Sequence, residues 1–312
     1  MVAVRAYIPP TAPTPAAAAA TPAAATPVAR DLALAATDGV PLVATHVAPL
    51  GPARGAVLIA PAMGVPQRYY ATFAAWLAAR GFHALTFDYR GSGRSRRGSL
   101  RAVDADLVTW ARRDATAALR QLQDLAPGLP LTWIGHSLGG QLVPFVPDHR
   151  ELARIITVAA GSGYWRDNSP ALRRKVWLLW YLAVPLTTPL WGYFPGRALG
   201  MVGDLPRGVI RQWRRWCLDP GYAVGAEGQA VAELFERVRT PITALSFTDD
   251  EMMSARSIDG LHRAFRGAAV THVRLAPGDV GRARLGHFGW FRDEHAPLWD
   301  QVVAPHLAAA PR

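Results

Sequence analysis

The sequence predicts an α/β fold, a mostly parallel sheet flanked by helices and interrupted once by a long insertion. Three observations carry this. Short, continuously apolar runs of strand length alternate with segments of helical periodicity. The alternation stops between Ser162 and Gly225 and then resumes. The interrupting stretch is rich in tryptophan (Trp165, Trp177, Trp180, Trp191, Trp213 and Trp216) and has no clean strand, which suits a cap lying over a sheet.

Each element has its own signal. LALAAT (32–37) and VATHVAP (43–49) flank Asp38-Gly39, a hairpin signature. GAVLIAPA (55–62) is apolar throughout, as in a strand covered on both faces. QRYYATFAAWLAARG (67–81) has helix periodicity and stops at Gly81. HALTFDYRGSG (83–93) is a strand breaking into a glycine turn, and 104–125 is a long amphipathic helix. PLTWIG (130–135) and RIITVAAG (154–161) are strands, with a helix expected after Ser137. Beyond the insertion come a helix (230–238), a strand (240–247), a helix (254–265), a strand (270–277) and a closing helix (294–309). Strands separated by helices pair in parallel through crossovers.

The domain reading follows: a Pro/Ala-rich disordered tail over 1–30, a core over 31–161 and 226–312, and a cap over 162–225. The tail cannot bury enough apolar surface to offset its ordering entropy. Its prolines interrupt every apolar run, so it makes a poor secretory signal, and a cytoplasmic location is expected. Residues 176–195 carry no charge and are long enough for a membrane span, but Pro185 and Pro189 are expected to break a helix there. Stable membrane insertion is therefore not expected.

The formal charge of +11 would suggest a nucleic-acid partner, yet Lys175 is the only lysine and the arginine pairs are scattered. No nucleic-acid surface is expected. Cys217 is the sole cysteine, which excludes an intrachain disulfide and reads as a buried small hydrophobe. No metal-ligand spacing is present, so neither metal nor cofactor is expected.

The chemistry centres on GHSLG (135–139), placed between a strand and a helix. A serine at the apex of such a turn exposes its hydroxyl, and the flanking glycines remove side chains that would collide across the turn. The Leu138 N–H then sits at a helix N-terminus, where partial positive charge favours an oxyanion. A hydroxyl is a poor nucleophile and needs a base oriented by a carboxylate. On this architecture the order is serine, acid, histidine, the last two following later strands. The strand 240–247 runs into Asp249-Asp250-Glu251, and the strand 270–277 precedes LGHFGWF, which contains His287. Asp250 is the preferred acid, with Asp249 as rival and Glu251 third. The second oxyanion donor is expected in IAPAMG, at Ala62 with Met63 as rival.

With these residues in place, the chain resembles the α/β-hydrolase superfamily across about 31–310. PAMGVPQRYY, DYRGSGRS, GHSLGG and GHFGWFR resemble a bacterial group of predicted serine hydrolases, with a more distant similarity to the monoacylglycerol lipase and serine aminopeptidase group. The resemblance implies an α/β-hydrolase fold with an eight-stranded sheet and a cap after the sixth strand. It implies Ser137, Asp250 and His287 as the triad, with Asp88–Ser95 a structural turn. The expected activity is hydrolysis of an ester through an acyl-serine intermediate, by a carboxylesterase or lipase-like enzyme on a small apolar acyl substrate. Three readings compete: an acyltransferase with the same triad, a peptidase, and an inactive binding protein on the same scaffold. A peptidase that holds a substrate amine would need a carboxylate near the lid, and Asp167 and Asp204 are the only lid acids before Asp219.

Overall fold

A computed structural model describes residues 27–308. The first two strands, β1 (Ala29–Ala35) and β2 (Pro41–Val47), form the expected hairpin, pairing antiparallel from Ala29–Val47 to Ala35–Pro41. The tail expectation lies outside the described residues except at 27–30, and there it needs correction. Ala29 and Arg30 already belong to the ladder opposite Val47 and His46.

Six further strands complete the sheet: β3 (Gly55–Ala60), β4 (Phe82–Phe87), β5 (Leu131–His136), β6 (Leu152–Val158), β9 (Ile242–Phe247) and β10 (Val270–Leu275). The order is β1-β2-β4-β3-β5-β6-β9-β10, with β2 antiparallel to β4 and every later pairing parallel. This is the α/β-hydrolase fold. β3 and β5 are buried at every position, as their unbroken apolar runs require.

Helices cover both faces. Phe73, Trp76 and Leu77 of the helix Ala71–Ala79 pack with Trp299 and Val302 of the helix Ala296–Val302 on one side. Leu119 and Leu122 of the helix 107–125 pack with Phe235 and Trp133 on the other. The closing helix is shorter than 294–309, and position 309 falls outside the described residues. The helix expected after Ser137 is a single turn, Leu138–Gln141. Pro144 lacks the N–H that a longer helix would use, and the chain passes into a 3-10 turn, Val143–Phe145.

Between β6 and β9 the chain leaves the sheet. Residues 170–191 form a continuous helix, followed by a small hairpin of β7 (Tyr193–Pro195) and β8 (Asp204–Pro206) and by the helix Arg207–Leu218. Two expectations fail here. The insertion contains strands, and Pro185 and Pro189 do not break the helix. A wide π turn, Leu179–Ala183, re-spaces the backbone just before Pro185, whose ring would otherwise meet the carbonyl four residues back. The helix ends at Gly192, in the left-handed conformation. No helix among the described residues is long and apolar enough to cross a membrane.

Candidate active site

Ser137 sits where β5 turns into the helix Leu138–Gln141, with φ +49° and ψ −113°. A non-glycine residue reaches this conformation only under constraint from its surroundings. The constraint is visible. The Ser137 N–H donates to Val158 O at 2.8 Å, and the Trp133 indole donates to Gly139 O at 3.0 Å, tying the turn to two strands. The glycines are required by close approach. A Cβ at Gly139 would lie 2.1 Å from Ala60 O, and one at Gly135 would lie 2.4 Å from Gly140 N. Leu138, first in its helix, has a backbone N–H without an intrahelical acceptor.

Three consecutive acids after β9 all reach the loop carrying His287, and each does something different. Asp250 meets the ring: His287 Nδ1 lies 2.9 Å from Oδ2 and 3.1 Å from Oδ1. Both side chains are almost fully buried. Asp250 Oδ1 also accepts the N–H groups of Met252 and Met253, which fixes the carboxylate plane. Asp249 accepts the N–H groups of Leu285 and Gly286. Glu251 accepts the N–H of His287 itself at 3.0 Å. The geometry therefore brings Asp250, rather than Asp249, onto the imidazole.

Ser137 and His287 border one cavity of about 620 Å³, together with Leu138, Ala62 and Met63. Among the described residues no hydrogen bond joins the Ser137 hydroxyl to the ring. Such contacts are often long before substrate binds.

The expectation for Ala62 is corrected. Its N–H donates to the Tyr70 hydroxyl at 2.9 Å and is unavailable to an oxyanion. Met63, the next residue on the cavity wall, takes its place as the candidate donor. The Tyr70 hydroxyl lies 2.9 Å from His136 Nδ1, and His136 Nε2 lies 3.0 Å from His287 O. These contacts place the proton on Nε2: Tyr70 donates to Nδ1, and Nε2–H donates to the carbonyl. Burial, reinforced by the charge that His287 can carry, pushes His136 down to about 3 and holds it neutral. One buried chain thus ties the 61–65 loop, the elbow and the His287 loop together. The sequence does not reveal this chain, although Tyr70, eight residues beyond Ala62, is its one visible trace.

The DYRGSGRS stretch serves the scaffold. Asp88 accepts from the backbone N–H groups of Gln67 and Arg94, and Arg90 pairs with Asp38 and Asp114. Cys217 is buried against the cavity, and desolvation raises its thiol well above the ordinary range, so it stays protonated. The cavity wall is otherwise mostly apolar, with Trp180, Leu179, Val176 and Met253 prominent. Lys175 lies on its edge, and among the described residues no carboxylate lines it.

The family model for serine aminopeptidases (S33) matches residues 51–195. No curated protein matches the chain by sequence. Solved structures share its fold. A thermostable carboxyl esterase from Bacillus coagulans is 15% identical with a TM-score of 0.56, covering 80% of this chain and 90% of its own. An esterase from Pyrococcus furiosus is 13% identical with a TM-score of 0.56, covering 90% of each chain. An acylaminoacyl peptidase from Pyrococcus horikoshii is 12% identical with a TM-score of 0.56; the match covers 92% of this chain and 43% of that longer one.

Proposed function

We propose that this chain, a member of the α/β-hydrolase superfamily, is a serine carboxylesterase acting on apolar acyl substrates. The observation that carries the reading is the pairing of a constrained serine, φ +49°, with a histidine on the same cavity whose far nitrogen rests on a buried carboxylate.

The steps follow from these positions. His287 Nε2 takes the Ser137 proton as the hydroxyl oxygen attacks the acyl carbonyl. Asp250 fixes the ring tautomer and stabilises the imidazolium that forms. The N–H groups of Leu138 and Met63 receive the oxyanion. The tetrahedral intermediate collapses, and the alcohol leaves with the proton from His287. Water, deprotonated by the same ring, then attacks the acyl-serine and releases the acid.

The apolar wall favours an acyl chain without charge. The absence of a lining carboxylate among the described residues argues against a peptidase that holds a free substrate amine. Labelling by a fluorophosphonate probe tests the serine: the wild type labels and Ser137→Ala does not. Equal labelling of both proteins overturns the assignment. A series of p-nitrophenyl esters tests the substrate class, with medium-chain esters expected to exceed acetate and any charged acyl group.

A further inference from the structure

The helix 170–191 is built inside out. Its inner face places Val176, Trp180, Val184 and Thr188 in the core at four-residue intervals. A surface helix normally turns charge outward from such a stripe. This one turns Trp177, Leu178, Tyr181, Leu182, Leu186 and Leu190 to solvent, the last two 62% and 74% exposed. Nine of the eleven exposed large hydrophobic residues in the described chain fall between Trp177 and Met201. Scattered exposed apolar residues need no explanation, but a contiguous face of this kind marks a contact surface.

Charge identifies the contact. From Asn168 to Gly203 the chain has no aspartate or glutamate. It has four cations, Arg173, Arg174, Lys175 and Arg197, all exposed and none in a salt bridge among the described residues. Three stand at the N-terminal end of the apolar face. At the other end, Arg101 donates to Trp191 O at 2.7 Å and shares a shallow basic pocket with Arg207 and Arg211, where Asp104 is the single acid. An apolar face rich in tryptophan, tyrosine and leucine, with cations at both ends, fits the headgroup boundary of an anionic bilayer.

The face also joins the active-site cavity. Lys175 and Met201 are exposed and border that cavity, and Leu179 and Trp180 of the same helix form its wall. We propose that the outer face of this helix docks the protein on anionic lipid surfaces, lying in the interface rather than spanning it, so that the cavity opens toward acyl chains. The docking stands apart from the serine chemistry; only the delivery of substrate rests on the esterase reading.

Flotation of full-length Ser137→Ala with lipid vesicles tests the docking without hydrolysing the lipid. The protein should float with vesicles containing about a third phosphatidylglycerol and bind pure phosphatidylcholine more weakly, the difference shrinking at high salt. The double variant Leu186→Gln/Leu190→Gln should lose about tenfold in partitioning. Neither leucine lines the cavity, so in the Ser137 background this pair should hydrolyse a soluble short-chain ester at the wild-type rate. Failure to float with either vesicle, or flotation unchanged by the double variant, overturns the proposal. A dimer in solution that the double variant dissociates, together with no flotation, assigns the face to a second copy and overturns it as well. An inactive protein that still floats would leave the docking standing and remove only the esterase reading.

Discussion

The backbone N–H of Ala62 donates to the Tyr70 hydroxyl at 2.9 Å, and that bond decides which residue of the loop can meet a developing oxyanion. An N–H already held by a buried acceptor cannot turn to substrate without leaving that acceptor unpaired, which costs about 1–3 kcal/mol. On the proposed reading the donor opposite Leu138 is then Met63, the next residue on the cavity wall. The complex with a boronic or phosphonic acid bound to Ser137 should place the charged oxygen about 3 Å from the N–H groups of Met63 and Leu138. An oxygen seated on Ala62, with Tyr70 displaced, would return the role to Ala62. Tyr70→Phe should lower stability by about 2–5 kcal/mol in urea unfolding, because both the Ala62 N–H and His136 Nδ1 lose their partner.

The acid trio makes a graded prediction. Asp250→Asn keeps an oxygen for the N–H groups of Met252 and Met253 but presents the ring with the wrong hydrogen-bonding partner. Its kcat should fall by about 10⁴ with little change in stability. Asp249→Asn can still accept from Leu285 and Gly286, and its kcat should stay within about tenfold of wild type, since the residue positions the loop without touching the ring. Steady-state kinetics on one ester separate the two. A larger loss at Asp249 than at Asp250 would reverse the assignment.

Much of this site was legible in the sequence because its parts are short and their chemistry is specific. GHSLG fixes a serine between glycines, and only one histidine follows the last strand in a loop of the right kind. The error at Ala62 has a different origin. Which N–H of a turn faces a cavity depends on backbone direction, and the deciding bond comes from a side chain eight residues away. The insertion was misread for a related reason. Pro185 and Pro189 carry a strong helix-breaking signal, but a wide turn at Leu179–Ala183 accommodates it through tertiary packing around Trp180. Composition also cannot say which face of an apolar helix is outside. Leu186 and Leu190 lie in solvent, while Val184 and Thr188 of the same uncharged stretch are buried.

The elbow glycines should tolerate nothing larger. At Gly139 the obstructing atom is Ala60 O, a backbone atom at the end of β3 and next to the loop that carries Met63. It cannot move aside as a flexible side chain could. Gly139→Ala should destabilise the protein by about 3 kcal/mol, the upper end of the usual overpacking cost, and any folded fraction should have a displaced 61–65 loop. Urea unfolding combined with fluorophosphonate labelling checks both. A variant with wild-type stability and labelling rate would show that the turn has slack the structure does not contain.

Acid should weaken the fold through histidines held neutral. Desolvation, with a smaller contribution from His287, pushes His136 down to about 3. Desolvation pushes His262 down to about 4, where its Nδ1–H donates to Ile258 O and its Nε2 meets the Thr157 hydroxyl. The ordinary value for both is 6.5. Between the folded and unfolded values the unfolded chain binds the proton and the native chain does not. Stability is therefore fully present above 6.5 and is lost as pH falls below it, by about 1.4 kcal/mol per pH unit for each group. Going from about pH 7.5 to about pH 5 should remove roughly 2 kcal/mol per histidine from the free energy of unfolding. His262→Gln lies away from the reacting groups and should reduce that loss by one histidine's share, while lowering stability at neutral pH through its altered hydrogen bonds. Unfolding free energies measured at both pH values decide the matter, and an acid-induced loss of equal size in wild type and His262→Gln would mean that this ring carries its proton in the native state.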